Sequence, residues 1–244
     1  MIKGINLGSG KDWHNDGWIS LDEIDGVYLD SNSILPAADN SVENIYSCHF
    51  FEHVDDNTSI NLFNECYRVL KDGGFMRIVV PDTQKIIDNM LLNDYSWFSS
   101  VVGFSGRPEW DIHGIERNPA NFALHLIGNF DFQYEGGFYR GPPKLETLEV
   151  FKRAQKENIA DFCKWVFDSI PKDPRVKTQH INWWNFDKFN EMLKSVGFEL
   201  VTKSQYMETR SADMNQNKKF DDEKPNRRGW SLYIEAQKLV GDIK

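Results

Sequence analysis

The sequence predicts an α/β protein built on a doubly wound, largely parallel sheet. Three observations carry that expectation. A short apolar strand, Ile5-Asn6-Leu7, runs straight into two glycines one residue apart, Gly8 and Gly10. Two further strand-like runs each stop at a carboxylate, Asp22 and Asp30. After them strand, helix and strand follow one another between turn residues and breakers.

Taken in order, Lys3 to Leu7 reads as a first, buried strand, and the glycines after it let the backbone turn tightly and lie against a ligand, because neither has a Cβ. The loop from Lys11 to Gly17 is polar and too short for a long helix. Trp18 to Leu21 reads as a second strand and Gly26 to Leu29 as a third. Open parallel sheets bind ligands at the carboxyl ends of their strands, where Asp22 and Asp30 fall. Leu35-Pro36 breaks the chain, and Val42 to Cys48 is a fourth strand that ends in His49-Phe50-Phe51-Glu52-His53. Asn57 or Thr58 can cap the next helix, whose Ile60, Phe63, Tyr67 and Leu70 recur at helical spacing before Gly73-Gly74 closes it. Phe75 to Val80 is a fifth strand, halted by Pro81.

Residues 83–180 break the pattern. Helical pieces, Thr83 to Leu92 and Leu145 to Ser169, alternate with aromatic, glycine-rich stretches carrying Trp97, Phe98, Phe104, Trp110, Phe122, Phe130, Phe132, Tyr134, Phe138 and Tyr139. This region reads as an insertion that serves as a lid or acceptor-binding region, with most of its rings expected in a core. The α/β pattern returns at Asn185 with a helix face of Phe186, Phe189, Met192, Leu193 and Val196, ended by Gly197. A strand over Phe198 to Thr202, a polar connection over 208–229 and a last strand around Leu232, Ile234 and Ala236 complete the chain.

Bulk properties narrow the function classes. With 244 residues the chain has room for one full-sized α/β domain. The net charge of −9 weighs against nucleic-acid binding, since Asp221, Asp222 and Glu223 interrupt the one basic cluster of Lys218, Lys219, Lys224, Arg227 and Arg228. No apolar run approaches membrane-spanning length and no signal-peptide layout opens the chain, so a cytoplasmic protein with no membrane partner is expected. Cys48, Cys66 and Cys163 are widely spaced and show no metal-type spacing, so no metal site is assigned.

The runs INLGSG, GWISLD, LPAADNSVENIYSCHFFEHV and ECYRVLKDGGFMRIVVPD, with FDKFNEMLKSVGFELV and SLYIEAQK near the end, together resemble a class I S-adenosylmethionine (SAM)-dependent methyltransferase of the compact bacterial type-11-like family. The resemblance covers residues 1–82 and about 185–239 and leaves the insertion aside. It implies a Rossmann-like seven-stranded sheet with the insertion between strands 5 and 6, the whole forming one domain over 1–244. It implies SAM as cofactor and S-adenosylhomocysteine as product. By position it places Gly8, Ser9 and Gly10 at the methionyl and ribose portions, Asp22 on the ribose hydroxyls, Asp30 and Ser31 beside adenine, and His49 near the methionine part. An acidic residue has the right chemistry for a ribose diol.

Rival classes remain at this point. His49-Phe50-Phe51-Glu52-His53 matches the H-x-x-E-H pattern of zinc hydrolases, but that chemistry needs both histidines on one helical face and these residues follow a strand. A nicotinamide-dependent oxidoreductase is disfavoured because Trp13 stands where its third glycine would be and Asp22 comes too soon after Gly10. A SAM-binding protein without turnover would carry the same cofactor motifs.

Methyl transfer is an in-line displacement, so the protein has to align the acceptor and exclude water, and a hydroxyl acceptor gains from a base. His180, just before the closing helix, is the leading catalytic candidate, with His125 and then His113 after it; Arg140 is a candidate for holding a phosphate or carboxylate on the acceptor. The expected partner is a small-molecule acceptor, with a sugar or surface-polysaccharide precursor suggested by the compact family, and the expected state is a monomer or homodimer.

Overall fold

The computed structural model describes residues 2–11, 13–23, 26–102, 110, 114–134, 137–170, 179–215, 220–221 and 227–240, with the side chains of 102, 130–134 and 137–140 set aside. The chain divides into two compact units, one of Met1–Val80, Asn185–Glu223 and Ser231–Lys244 and one of Pro81–Trp184 and Lys224–Trp230.

The first unit is a six-stranded sheet among the described residues. Its strands are β1 (Gly4–Leu7), β2 (Trp18–Leu21), β3 (Val42–Cys48), β4 (Leu70–Pro81), β7 (Leu200–Ser204) and β8 (Ser231–Gln237), in the order β2-β1-β3-β4-β8-β7. β1, β2, β3 and β4 run parallel. β8 runs against them: Lys238, just past its end, exchanges backbone hydrogen bonds with Gly73 and Gly74 near the start of β4. β7 is antiparallel to β8. This is the expected α/β class with one strand fewer than the seven expected. The segment from Gly26 to Leu29 forms no strand: Gly26 has a φ of +79°, the Val27 N–H is spent on the Asp22 carbonyl, and Tyr28 is 68% exposed. The insertion accordingly falls between the fourth and fifth strands of the sheet in chain order.

Helix α1 (Asp56–Val69) links β3 to β4 and buries Leu62, Phe63, Cys66 and Val69. Its cap is Asp55, whose side chain accepts the Thr58 N–H at 2.7 Å, in place of the expected Asn57 or Thr58. Gly73-Gly74 does not close it. The helix passes directly into β4 at Leu70, and the Lys238 ammonium donates to the Tyr67 and Leu70 carbonyls, satisfying the acceptors that a helix end leaves open. Gly73 lies inside the strand at a φ of +81°, close to where the β3–β4 register shifts. Helix α7 (Phe186–Ser195), capped by Asn185, packs Phe189 on Phe51 and Phe63.

The second unit is helical, with α2 (Thr83–Leu91), α3 (Tyr95–Val102), α4 (Pro119–Gly128), α5 (Thr147–Lys156) and α6 (Ile159–Asp168), plus an antiparallel pair, β5 (Phe130–Tyr134) and β6 (Gly137–Gly141). The helical piece expected over Leu145 to Ser169 is broken in two, because the Asn158 side chain caps α6 by accepting the Asp161 N–H at 2.9 Å. Phe98, Trp110, Phe122, Phe162 and Trp230 share one core, so these rings fill an interior. A last short helix, α8 (Ala212–Asn215), interrupts the polar connection before β8 in the first unit.

Candidate functional site

The turns that end the first two parallel strands are joined by hydrogen bonds from the backbone. The Gly8 N–H donates to the Leu21 carbonyl at 2.8 Å and the Ser9 N–H to the same oxygen at 3.4 Å. The Gly10 N–H donates to Asp22 Oδ2 at 2.9 Å. The glycine turn after β1 and the carboxylate after β2 are therefore tied together before any ligand arrives.

The two glycines serve different ends. Both lie in the left-handed region, at φ of +67° for Gly8 and +71° for Gly10. A Cβ on Gly8 would sit 2.5 Å from Phe50 Cβ, so this glycine is demanded by packing. A Cβ on Gly10 would meet nothing within 4 Å, so the space there is open to a ligand. The Ser9 hydroxyl donates to the Gly10 carbonyl at 3.3 Å, which fixes the turn.

Asp30 follows as a turn residue. Its Oδ1 accepts the Asn32 N–H at 2.8 Å and the Ser33 hydroxyl at 3.1 Å, a local ring that Asp and Ser side chains commonly close. Ser31 is exposed beside it. Asn61 of α1 donates to the Ser33 carbonyl at 2.9 Å and pins this loop to the helix.

His49 comes directly after β3 with a φ of +54°, held there by its N–H on the Val79 carbonyl at 2.8 Å. Its ring is fixed at both nitrogens. Nδ1 lies 2.8 Å from Glu52 Oε1, and Nε2 lies 3.3 Å from Ser231 Oγ. Glu52 is 1% exposed and sits in a 3-10 turn, Phe51–His53, that separates β3 from α1. The five residues of the H-x-x-E-H pattern thus span a strand end and one tight turn, and the α-helix begins only at Asp56. The shared helical face of the zinc pattern is not formed.

In the second unit both leading histidines are buried. The His180 N–H donates to the Gly128 carbonyl at 2.9 Å, and its Nδ1 lies 3.1 Å from the Ile127 carbonyl, just before the end of α4. His125, on α4, sets its ring edge-on to Trp110 with centroids 5.6 Å apart. The turn and strand ends of the first unit bring Gly8, Ser9, Gly10 and Asp22 together, while His180 bonds the last carbonyls of α4 and the His125 ring packs on Trp110. His113 and the Arg140 side chain lie outside the described residues. Ser231 was not singled out from the sequence, and no local signal marks it: its contact with His49 spans 182 positions.

The arrangement fits SAM on its own chemistry. The open side of Gly10 admits a ligand against the backbone, and the Asp22 carboxylate beside it offers the acceptor oxygens a ribose diol requires.

Residues 17–78 match the family model described as a methyltransferase domain. That match spans β2, the Asp22 and Asp30 turns, β3, the His49 turn, α1 and most of β4. No curated protein matches the chain. Among solved structures the chain is similar to a Thermotoga maritima SAM-dependent methyltransferase described as a possible histamine N-methyltransferase, at 14% identity, 97% of this chain, 82% of that one and a TM-score of 0.39. It is also similar to a SAM-dependent methyltransferase from Archaeoglobus fulgidus, at 12% identity, 97% and 86% coverage and a TM-score of 0.43. A third is the SAM-dependent methyltransferase of Mesorhizobium loti, at 12% identity, 96% and 90% coverage and a TM-score of 0.40. All three TM-scores lie below 0.5, and the domain match covers residues 17–78 of the 244.

Proposed function

We propose that this chain, a SAM-dependent methyltransferase by its domain match and its sheet, methylates a hydroxyl of a small molecule, a sugar or a precursor of surface polysaccharide. The observation that carries the cofactor half is the Gly10–Asp22 pair: an open backbone turn next to a carboxylate, at the carboxyl edge of a parallel sheet. Gly8, Ser9, Gly10 and Asp22 hold the methionyl and ribose portions in this reading, Asp30 and Ser31 the adenine, and His49 the methionine end. When bound, SAM supplies an electrophilic methyl group; the protein aligns the acceptor oxygen behind it and keeps water out.

The chain's net charge of −9 supports a small acceptor over a nucleic acid. The sugar class is supported by the resemblance to compact enzymes that decorate surface polysaccharides. His180 and His125 are the candidates for the base that a hydroxyl acceptor gains from. No helix of the described residues is long and apolar enough to cross a membrane.

The test is calorimetric titration with S-adenosylhomocysteine, followed by transfer of a tritiated methyl group from SAM to sugar nucleotides and to free sugars. Binding in the micromolar range that Asp22→Ala abolishes is the expected first result. Turnover of either sugar class supports the acceptor, and turnover of neither overturns it. Binding of S-adenosylhomocysteine without turnover of any acceptor would mark a cofactor-binding protein that has lost its chemistry.

A further inference from the structure

We infer that Glu52, His49 and Ser231 form a proton relay that removes the proton from a hydroxyl acceptor, an inference that rests on the methyl-transfer reading above. The three side chains come from three places in the chain: the 3-10 turn after β3, the residue just past β3, and the first residue of β8. Because β8 is antiparallel to β4, its first residue lies at the same edge of the sheet as the last residues of the parallel strands. That reversal is what sets the Ser231 hydroxyl beside the His49 ring.

The hydrogen bonds dictate the direction of proton flow. With Glu52 ionised, its Oε1, 2.8 Å from Nδ1 of His49, can only accept, which places the ring hydrogen on Nδ1. That fixes the neutral ring with its lone pair on Nε2, and the lone pair faces Ser231 Oγ at 3.3 Å. The order acid, imidazole, hydroxyl is the one that activates an oxygen nucleophile elsewhere in protein chemistry. Here the hydroxyl of Ser231 need not attack anything. As the acceptor oxygen forms its bond to the methyl carbon and the carbon–sulfur bond breaks, the acceptor's proton moves to Ser231 Oγ while Ser231's own proton moves to Nε2. The imidazolium so formed lies against the Glu52 carboxylate, which holds the charge until solvent takes the proton. Atoms and charge balance: the sulfonium charge of SAM ends as one proton released.

Burial supports the assignment. Glu52 is 1% exposed and the His49 side chain 9% exposed, so water screens their interaction little. His49 is held in a left-handed backbone conformation, at a φ of +54°, that a non-glycine residue adopts at a cost. Glu52 and Ser231 act as positioning and relay groups on that ring.

Two arms test the inference. Long-range proton–nitrogen spectra of histidine-labelled protein read the tautomer of His49 with no substrate present. The expected result is an Nδ1-protonated ring in the wild type and in Glu52→Gln, whose amide oxygen still accepts, and loss of that preference in Glu52→Ala. The second arm measures kcat on the acceptors methylated by the wild type. Glu52→Ala and Ser231→Ala should each lower kcat by about 10²-fold or more, with S-adenosylhomocysteine affinity unchanged in Ser231→Ala, and Ser231→Thr should restore part of the rate. An Nε2-protonated ring, or wild-type kcat in both alanine variants, would overturn the relay. If Glu52→Ala fails to fold, the tautomer of the wild type and the kcat of Ser231→Ala decide the same question. A wild type that binds no S-adenosylhomocysteine, or methylates nothing, overturns the reading beneath and is told apart because it shows in the unmutated protein.

Discussion

The two glycines of the first turn are one residue apart and share a backbone conformation, yet alanine at each should fail in a different way. Both substitutions place a Cβ in the left-handed region, which costs about 1–2 kcal/mol for an L-residue. At Gly10 nothing else is added, since the new methyl meets no atom within 4 Å. At Gly8 the methyl would lie 2.5 Å from Phe50 Cβ and 2.6 Å from its ring. Phe50 cannot relieve this by changing rotamer, because Cβ moves only with the backbone. Overpacking of that kind adds about 1–3 kcal/mol, so Gly8→Ala should cost about 2–5 kcal/mol in all. Urea unfolding of both variants, read alongside calorimetric binding of S-adenosylhomocysteine, separates the two effects. Gly10→Ala should unfold within about 2 kcal/mol of wild type while losing at least about tenfold in affinity, or about 1.4 kcal/mol. Gly8→Ala should be clearly the less stable of the pair. Equal destabilisation by the two, or a Gly10→Ala protein with undiminished affinity, would refute the division of labour between packing and binding.

Other perturbations address other parts of the chain. Asp22→Asn keeps an oxygen for the Gly10 N–H but loses the charge that strengthens hydrogen bonds from a diol, so S-adenosylhomocysteine affinity in a calorimetric titration should fall by about 1.5–3 kcal/mol with little change in unfolding. The Glu65 carboxyl is held below its ordinary value of 4.5, first by hydrogen bonds from Arg68 and also by the Leu35 N–H. A depressed acid stabilises the fold above its unfolded pKa and loses that contribution as pH falls through the folded one. Unfolding measured from pH 7 downward should therefore show a loss below pH 4.5 that Glu65→Gln reduces. Asn158→Ala removes the cap that starts α6 and should cost about 1 kcal/mol by thermal unfolding. Arg77→Met should be the most damaging single change in the first unit, at about 3–5 kcal/mol in denaturant unfolding, because it leaves Asp221 buried without its counter-charge.

The parts of this fold that show in the sequence are those governed by local rules. Val42–Cys48 is read to the residue because an apolar strand flanked by turn chemistry has one interpretation. The helix after Asn185 shows for the same reason, through a periodic apolar face and a final glycine; its cap, Asn185, is seen only in the structure. The glycine turn shows because glycine spacing has few uses after a buried strand, and both glycines take positive φ. Local rules misplace the end of α1, where Gly73-Gly74 has the chemistry of a helix stop. The real stop is Lys238, which comes from 168 positions away to bond the Leu70 carbonyl. They also supply a strand at Gly26–Leu29, where Gly26 takes a φ of +79° and the Val27 N–H turns back onto the Asp22 carbonyl.

What the sequence conceals is therefore long-range polar pairing, and the last strand is where it concentrates. A run such as Ser231–Gln237 carries an apolar alternation that fixes it as a strand but says nothing of its direction. Direction decides everything polar about it. Running against β4, the strand brings Ser231 to His49 at one end and the neighbouring Lys238 to the end of α1 at the other. Between them Glu235 accepts from Arg210 at 3.0 Å and lies 3.7 Å from Arg77 Nη1. Arg77 in turn donates to Asp221 through Nε at 3.0 Å and to the Gln205 and Glu208 carbonyls at 2.8 Å. The polar connection before β8, which reads as loose chain, is thereby fastened to the middle of the sheet by one buried guanidinium. Buried polar groups tolerate few alternative partners, so this network and the Ser231–His49 contact both follow from the direction of the last strand, which periodicity does not reveal.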